Sequence, residues 1–125
     1  MPAIQTTLTV YGYMKCDSCR KALKWLDAAG RDHTFIDITE QPPDASTLAS
    51  ALEDGRYDLK HLFNTSGQLY RSMNIKDKLP GMSRDEALAL LADHGMLIKR
   101  PIITDGKRFT VGFKPAVFDE VWVSG

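Results

Sequence analysis

The sequence has few of the cysteine and histidine residues that hold a structural zinc ion. Among 125 residues there are two cysteines, Cys16 and Cys19, and three scattered histidines, His33, His61 and His94. A structural zinc ion takes about four ligands, and the chain offers no second close pair to complete such a set. We therefore predict that the protein binds no metal and carries no other bound cofactor.

Long apolar runs and an excess of charge are also absent. No run approaches the roughly 18 residues that a membrane helix requires. Sixteen basic residues balance sixteen acidic ones, so the net charge gives no sign of binding to nucleic acid or to a membrane. Residues 1–5 lack the charged and apolar regions of a signal peptide. We expect a cytoplasmic protein, where a close pair of cysteines is more often catalytic or sensory than structural.

The order of predicted elements indicates the fold class. Alternating and β-branched residues predict strands over residues 7–11 and 33–38, and apolar spacing predicts a helix over residues 18–29 between them. Such a βαβ unit has parallel strands. Near the end of the chain, Asp105-Gly106 lies between two apolar runs and predicts a hairpin, and Pro115 opens a closing helix.

The middle of the chain is predicted to be helical. Asp44 is a predicted helix N-cap, and Ser83 with Glu86 matches a capping box. With 43% hydrophobic residues the chain can bury the core of one compact domain. We therefore predict a single α/β domain over residues 1–125. Its thioredoxin-like mixed four-stranded sheet has the order β-α-β … β-β-α, with a helical insertion at about residues 43–96.

The two cysteines lie where the first predicted strand meets the first helix. Cys16 is just ahead of the helix and Cys19 is in its first turn, where unpaired backbone N–H groups and the helix dipole favour an anion. Fixed positive charge is concentrated nearby, on Lys15, Arg20, Lys21 and Lys24. Each effect lowers the pKa of a thiol. We interpret Cys16 as an activated nucleophile and Cys19 as the thiol that resolves its adducts.

An inert, buried pair of cysteines is the alternative interpretation, because free cysteine packs well in cores. Lys15, Asp17 and Arg20 flank the thiols too closely for both sulfurs to be deeply buried. A C-x-x-C near a βαβ pattern is moreover a known redox signature. The sequence therefore favours a redox role for the pair.

Four motifs in order make the chain similar to a known family. They are CDSCRKA at residues 16–22, LFNTSG at 62–67, LIKRPI at 97–102 and VGFKP at 111–115. Together they resemble the arsenate reductase-like family over nearly the whole chain. That family includes glutathione- or glutaredoxin-coupled arsenate reductases, and Spx and MgsR-type proteins, of which the Spx group are redox-sensing regulators that bind RNA polymerase. The resemblance implies a thioredoxin-like fold, with Cys16 as nucleophile and Arg100 as an anion-binding residue beside a cis-proline, Pro101.

The sequence departs from the arsenate reductases of that family around the oxyanion. Those enzymes use three arginines, of which Arg100 matches one; residues 59–64 contain no arginine, and Lys114 stands where the last would fall. They also usually lack the second cysteine, so the C-x-x-C is closer to the Spx-like branch. If Pro101 is cis and opposite Cys16, Arg100 can offer its planar fork of donors to an anion.

Two functions remain in competition. The first is a thiol–disulfide oxidoreductase in which Cys16 attacks a small oxidised substrate or oxyanion. Cys19, glutathione, glutaredoxin or thioredoxin then resolves the adduct, while Arg100 and Lys114 bind negative charge. The second is an Spx-like regulator in which oxidation of Cys16 and Cys19 changes a surface that docks on RNA polymerase. A protein whose cysteine pair only buffers thiols is a third, less specific alternative.

Overall fold

The computed structural model of the chain describes residues 7–53 and 55–123. Residues 1–6, where no signal peptide is predicted, lie outside the described part. The described residues form two compact units, one of residues 7–37 with 100–123, the other of residues 38–53 with 55–99. None of the helices in these ranges combines the length and apolarity needed to span a bilayer.

A mixed four-stranded sheet forms the first unit. Its strands are β1 (Leu8–Gly12), β2 (His33–Asp37), β3 (Ile102–Thr104) and β4 (Phe109–Val111). The spatial order is β2-β1-β3-β4, with β1 parallel to β2 and the other two pairs antiparallel. The parallel pairing predicted for the βαβ unit is confirmed. So is the predicted fold class, a thioredoxin-like α/β sheet.

Helix α1 (Asp17–Ala28) packs its apolar stripe against this sheet. Leu8 and Val10 of β1 alternate with less buried neighbours, as expected for a strand with one covered face. Ala22 and Leu26 of α1, four residues apart, are fully buried. The core of this unit consists of Leu8, Val10, Ala22, Leu26, Ile103, Phe118, Val121 and Trp122.

The C-terminal segment closes the first unit. Helix α6 (Pro115–Phe118) starts at the predicted proline and continues as a π-helical turn over Asp119–Val123. The buried Trp122 donates its indole N–H to the hydroxyl of Thr110, at 3.0 Å. Arg108 donates to the carbonyl of Val121 at 2.7 Å and lies over the Trp122 ring. These contacts hold residues 121–122 against strand β4 and the residue before it.

Differences from the sequence prediction are concentrated before β3. The apolar run from Leu97 predicts a long strand, but the strand begins at Ile102. The preceding residues pair within the second unit instead: Asn64 N–H donates to the Leu97 carbonyl and Lys99 N–H to the Leu62 carbonyl, both at 2.7 Å. The boundaries of β1, β2 and α1 shift by one residue, and α1 begins at Asp17 rather than at Ser18.

The predicted Asp-Gly hairpin joins β3 to β4 through a loop longer than two residues. The Asp105 carboxylate accepts from the backbone N–H groups of Lys107 and Arg108, at 2.9 and 2.7 Å. Gly106 has a φ of +100°, a conformation that residues with a Cβ rarely adopt. The carboxylate therefore organises a wider turn than the dipeptide alone predicts.

Short helices make up the second unit. They are α2 (Ala45–Ser50), α3 (Gln68–Ser72), α4 (Ile75–Lys78) and α5 (Arg84–Asp93), with 3₁₀ turns at Leu59–Leu62, Leu79–Gly81 and Gly95–Leu97. The predicted caps are confirmed: Asp44 accepts from Thr47 N–H at 2.8 Å, and Ser83 and Glu86 cap each other. Asn74, in a left-handed conformation, separates α3 from α4. The single-domain organisation over residues 1–125 stays a prediction.

Gly95 is the position where the second unit leaves no room for a side chain. A Cβ built there would lie 1.9 Å from the carbonyl oxygen of Ile38, so the backbone itself would have to move. We expect Gly95→Ala to lower the free energy of unfolding by about 2 kcal/mol or more. Urea denaturation followed by circular dichroism measures this change.

Gly81 provides the matched control, because it also lies in a 3₁₀ turn and a Cβ there meets nothing within 4 Å. Gly81→Ala should change the free energy of unfolding by less than about 1 kcal/mol. Equal denaturation midpoints for the two variants would contradict the predicted close approach at Gly95.

Candidate active site

The turn between β1 and α1 positions both cysteines. Cys16 N–H donates to the carbonyl of Tyr13 at 3.0 Å, and the Cys16 carbonyl accepts from Arg20 N–H at 3.1 Å. Cys16 is thus the N-cap of α1, with an extended backbone (φ −94°, ψ 124°). Cys19 follows in the first helical turn, as the sequence predicts.

The two sulfurs differ in exposure. Cys16 is partly exposed, whereas Cys19 has no exposed surface. Gly12 at the end of β1 makes room for the buried thiol, because a Cβ there would lie 3.1 Å from the Cys19 sulfur and 3.0 Å from the Phe35 ring. Of the two sulfurs, Cys16 is therefore the one that molecules from solvent can reach.

Hydrogen bonds stabilise the thiolate form of Cys16. Partial burial by itself raises the pKa of this thiol, but several hydrogen bonds lower it further than burial raises it. The donors are the backbone N–H and thiol of Cys19, the guanidinium of Arg100 and the backbone N–H of Ser18. The pKa of Cys16 is therefore below its ordinary value, because the charged form accepts all four bonds.

Arg100 is the basic side chain that donates to Cys16 and lowers the pKa of its thiol, whereas the sequence analysis attributes the positive charge to Lys15, Arg20, Lys21 and Lys24. Arg20 instead forms an ion pair with Asp17 and donates to the Met14 carbonyl. The other basic residues near the pair are exposed, where solvent and salt screen their charge; they are Lys15, Lys21 and Lys24.

Cys19 has the opposite acid–base behaviour. Burial raises the pKa of Cys19 to about 12, and the neighbouring Cys16 sulfur adds to the rise. A hydrogen bond from Tyr13 N–H to the Cys19 sulfur, at 3.3 Å, opposes it only in part. Cys19 therefore keeps its proton near neutral pH, and its S–H donates to the Cys16 sulfur.

Arg100 and Pro101 approach the thiols from the segment before β3. The peptide bond between them is cis, Pro101 is buried and Arg100 is half-buried. The guanidinium carbon of Arg100 lies 5.4 Å from the centre of the Tyr13 ring. The structure thus brings Cys16, Cys19 and Arg100 into one hydrogen-bonded group.

Lys114 is not part of this group. It is exposed, and it caps α6 through its carbonyl, which accepts from the backbone N–H groups of Val117 and Phe118 at 3.0 Å. The largest influences on the pKa of Cys16 are burial and hydrogen bonds from Cys19, Arg100 and Ser18. A role for Lys114 in anion binding therefore stays a prediction from the sequence.

Tyr13 is a component of the site that the sequence analysis missed. Its backbone contacts both cysteines and its ring faces Arg100. The available signal was an aromatic residue three positions before Cys16. That signal does not indicate a partner, because the contact with Arg100 exists only in the folded chain.

The chemistry open to this group is that of a reactive thiolate beside a second thiol. A thiolate attacks disulfides and oxidised sulfur, and a nearby thiol can displace what it captures. The guanidinium offers a bidentate site for a carboxylate or an oxyanion. Within residues 7–53 and 55–123, no group of three or more His, Cys, Asp or Glu side chains is arranged to hold a metal ion.

Comparison with known proteins places these features in context. A model of the ArsC family matches residues 11–121. The uncharacterized protein YusI of Bacillus subtilis is 53% identical over 116 residues, which is 93% of this chain and 98% of YusI. The regulatory protein MgsR of Bacillus subtilis is 28% identical, over 90% of this chain and 87% of MgsR. The crystal structure of a possible arsenate reductase from Streptococcus mutans has a TM-score of 0.84 and 44% identity, covering 93% and 98% of the two chains.

The hydrogen bond from Arg100 predicts how Cys16 titrates. In wild-type protein the rate of Cys16 alkylation by iodoacetamide should rise with pH through an inflection below the free-cysteine value of about 8.5. Arg100→Gln removes a charged donor to the thiolate, so the inflection should move to higher pH. Mass spectrometry with fragment-ion assignment measures alkylation of Cys16 separately from Cys19.

Lys21→Gln provides the control, since it removes an equal charge from an exposed position on α1. Its inflection should stay at the wild-type value. A larger upward shift for Lys21→Gln than for Arg100→Gln would restore the α1 charges as the main cause.

Proposed function

The chain belongs to the ArsC family, and from this premise we propose that it is a cytoplasmic thiol–disulfide oxidoreductase. Cys16 is the nucleophile and Cys19 the resolving thiol. The contrast between the two sulfurs carries the proposal: a partly exposed thiol with a lowered pKa accepts a hydrogen bond from a buried, protonated one. Because of this contrast, Cys16 attacks the substrate and Cys19 resolves the adduct.

In the first step the Cys16 thiolate attacks one sulfur of a substrate disulfide R–S–S–R′. A bond forms between Cys16 and the sulfur of R, and the substrate S–S bond breaks, so that R′ leaves as a thiolate. Arg100 faces the reacting sulfur and binds a negative group of the substrate by its planar fork of donors. The substrate class is therefore a small disulfide that carries a carboxylate.

In the second step Cys19 attacks the Cys16 sulfur. Cys19 gives up its proton, the Cys16–R bond breaks, R leaves as a thiolate and a Cys16–Cys19 disulfide forms. The negative charge on Cys16 contributes to the raised pKa of Cys19. That charge is lost in the mixed disulfide. The pKa of Cys19 therefore falls in the state in which Cys19 attacks Cys16.

An external thiol must return the enzyme to its starting state. Two glutathione molecules, or one dithiol protein such as glutaredoxin or thioredoxin, supply the two electrons that reduce the Cys16–Cys19 disulfide.

Arsenate is a less suitable substrate, because Arg100 is the one matching arginine of the three that arsenate reductases use. Lys114 is the second candidate for anion binding.

A redox-sensing regulator of the Spx and MgsR type is the second candidate function. The observation that favours it is the similarity to MgsR, named a regulatory protein, over 90% of this chain. In that case oxidation of Cys16 and Cys19 changes a surface that docks on RNA polymerase. The thiol chemistry is the same, but its product is a conformational signal rather than a reduced substrate.

Mild oxidation should produce a reversible intramolecular disulfide. Residues i and i+3 at a helix start can reach the roughly 4.4–6.8 Å Cα separation that a disulfide needs. Mass spectrometry of protein treated with one equivalent of peroxide should show the loss of two hydrogens on the tryptic peptide that contains both cysteines. Sulfenic or sulfinic acid at Cys16 with Cys19 still free would contradict the resolving role.

Turnover separates the enzyme from the regulator. With a glutathione-containing mixed disulfide as substrate, Cys16→Ser should abolish turnover, because a hydroxyl cannot form the disulfide. Cys19→Ser should leave a rate that depends on added glutathione. Arg100→Lys should raise KM, because lysine keeps the charge and loses the two-pronged geometry.

Glutathione, glutaredoxin and thioredoxin are compared as donors, and arsenate as an alternative substrate, in the same assay. Wild-type protein that turns over none of these combinations, yet binds purified RNA polymerase only in one redox state of the cysteine pair, would establish the regulator instead.

A further inference from the structure

Tyr13 contacts every component of the thiol site although its own side chain carries neither thiol nor charge. Its carbonyl accepts from Cys16 N–H at 3.0 Å, its N–H donates to the Cys19 sulfur at 3.3 Å, and its ring faces Arg100. We infer that Tyr13 is a positioning residue: its ring holds the Arg100 guanidinium beside the Cys16 sulfur, and its backbone holds the two cysteines together. This inference rests on the proposed role of Cys16 as nucleophile.

The Tyr13 ring contributes by restricting the rotamers of the long Arg100 side chain. An arginine has many rotamers, and a hydrogen bond to one acceptor must offset the entropy lost in fixing them. The Arg100 guanidinium carbon lies 5.4 Å from the Tyr13 ring centre, within the range of a cation–π contact. Because the ring already orients the planar guanidinium, the hydrogen bond to Cys16 requires less further ordering.

The backbone of Tyr13 contributes separately from its ring. The two hydrogen bonds to the cysteines use only its N–H and its carbonyl, which any residue except proline supplies. Gly12 before it leaves the space that the Cys19 sulfur occupies. Substitution of the Tyr13 side chain therefore removes the contact with Arg100 and leaves the turn intact, so the two contributions can be tested apart.

Alkylation of Cys16 against pH tests the role of the ring. Tyr13→Ala should move the inflection of the iodoacetamide rate upward by about half a pH unit, which is the size expected from loss of a partly exposed cation–π contact. Tyr13→Phe should keep the wild-type inflection, since it retains the ring. Tyr57→Ala removes a tyrosine ring from the second unit, where it contacts His61, and should also leave the inflection unchanged.

An Arg100→Gln background tests whether the ring acts through Arg100. If it does, Tyr13→Ala should add no further shift once the guanidinium is gone. A full additional shift in that background would overturn the inference, and so would an unchanged inflection in the Tyr13→Ala single variant. Circular dichroism confirms folding; if Tyr13→Ala does not fold, Tyr13→Leu, which keeps apolar bulk without a ring, decides by the same criteria.

Cys16 alkylation against pH gives different results for a failure of the Tyr13 role and for a failure of the proposed function. A wild-type inflection at the free-cysteine value would overturn both, because no activated thiolate would exist. An acidic Cys16 that is insensitive to Tyr13→Ala would overturn the role of the ring alone. An acidic, Tyr13-dependent Cys16 in a protein without turnover would support the positioning role and count against the enzyme.

Discussion

The hydrogen bond between the Arg100 guanidinium and the Cys16 sulfur joins two segments that are distant in the sequence. Cys16 follows β1, and Arg100 precedes β3, the strand that pairs with β1. The register of that antiparallel pair therefore determines whether the guanidinium meets the sulfur. The core beneath the sheet serves the site indirectly, by keeping β1 and β3 in register.

Loss of the negative charge on Cys16 connects the two steps of the proposed reaction, because it makes the proton on Cys19 easier to lose. In the reduced state backbone N–H groups, Arg100 and the Cys19 thiol stabilise a negative charge on Cys16 and so lower the pKa of its thiol. Formation of a mixed disulfide removes this charge, and the proton on Cys19 then becomes easier to lose. An enzyme and a redox-sensing regulator would both use this loss of charge, since both need a thiolate that oxidises readily and a partner that closes the disulfide.

The family comparisons include both kinds of protein. Relatives over nearly the full length include a structure described as a possible arsenate reductase and a protein named as a regulator. An anionic substrate bound at Arg100 would favour the first function, and a surface that binds a protein partner would favour the second. The scaffold and the cysteine pair are compatible with either.

Local sequence determined the parts of this protein that depend on neighbouring residues. The βαβ unit, the caps at Asp44 and Ser83 and the position of Cys16 before a helix all follow from periodicity, capping chemistry and spacing. Tertiary structure alone decided that Arg100 donates to the Cys16 sulfur, that the residues before β3 pair outside the sheet, and that the Tyr13 ring faces Arg100. These depend on strand pairing between distant segments, and a hydrogen bond or ring contact forms only once that pairing has brought the two groups together.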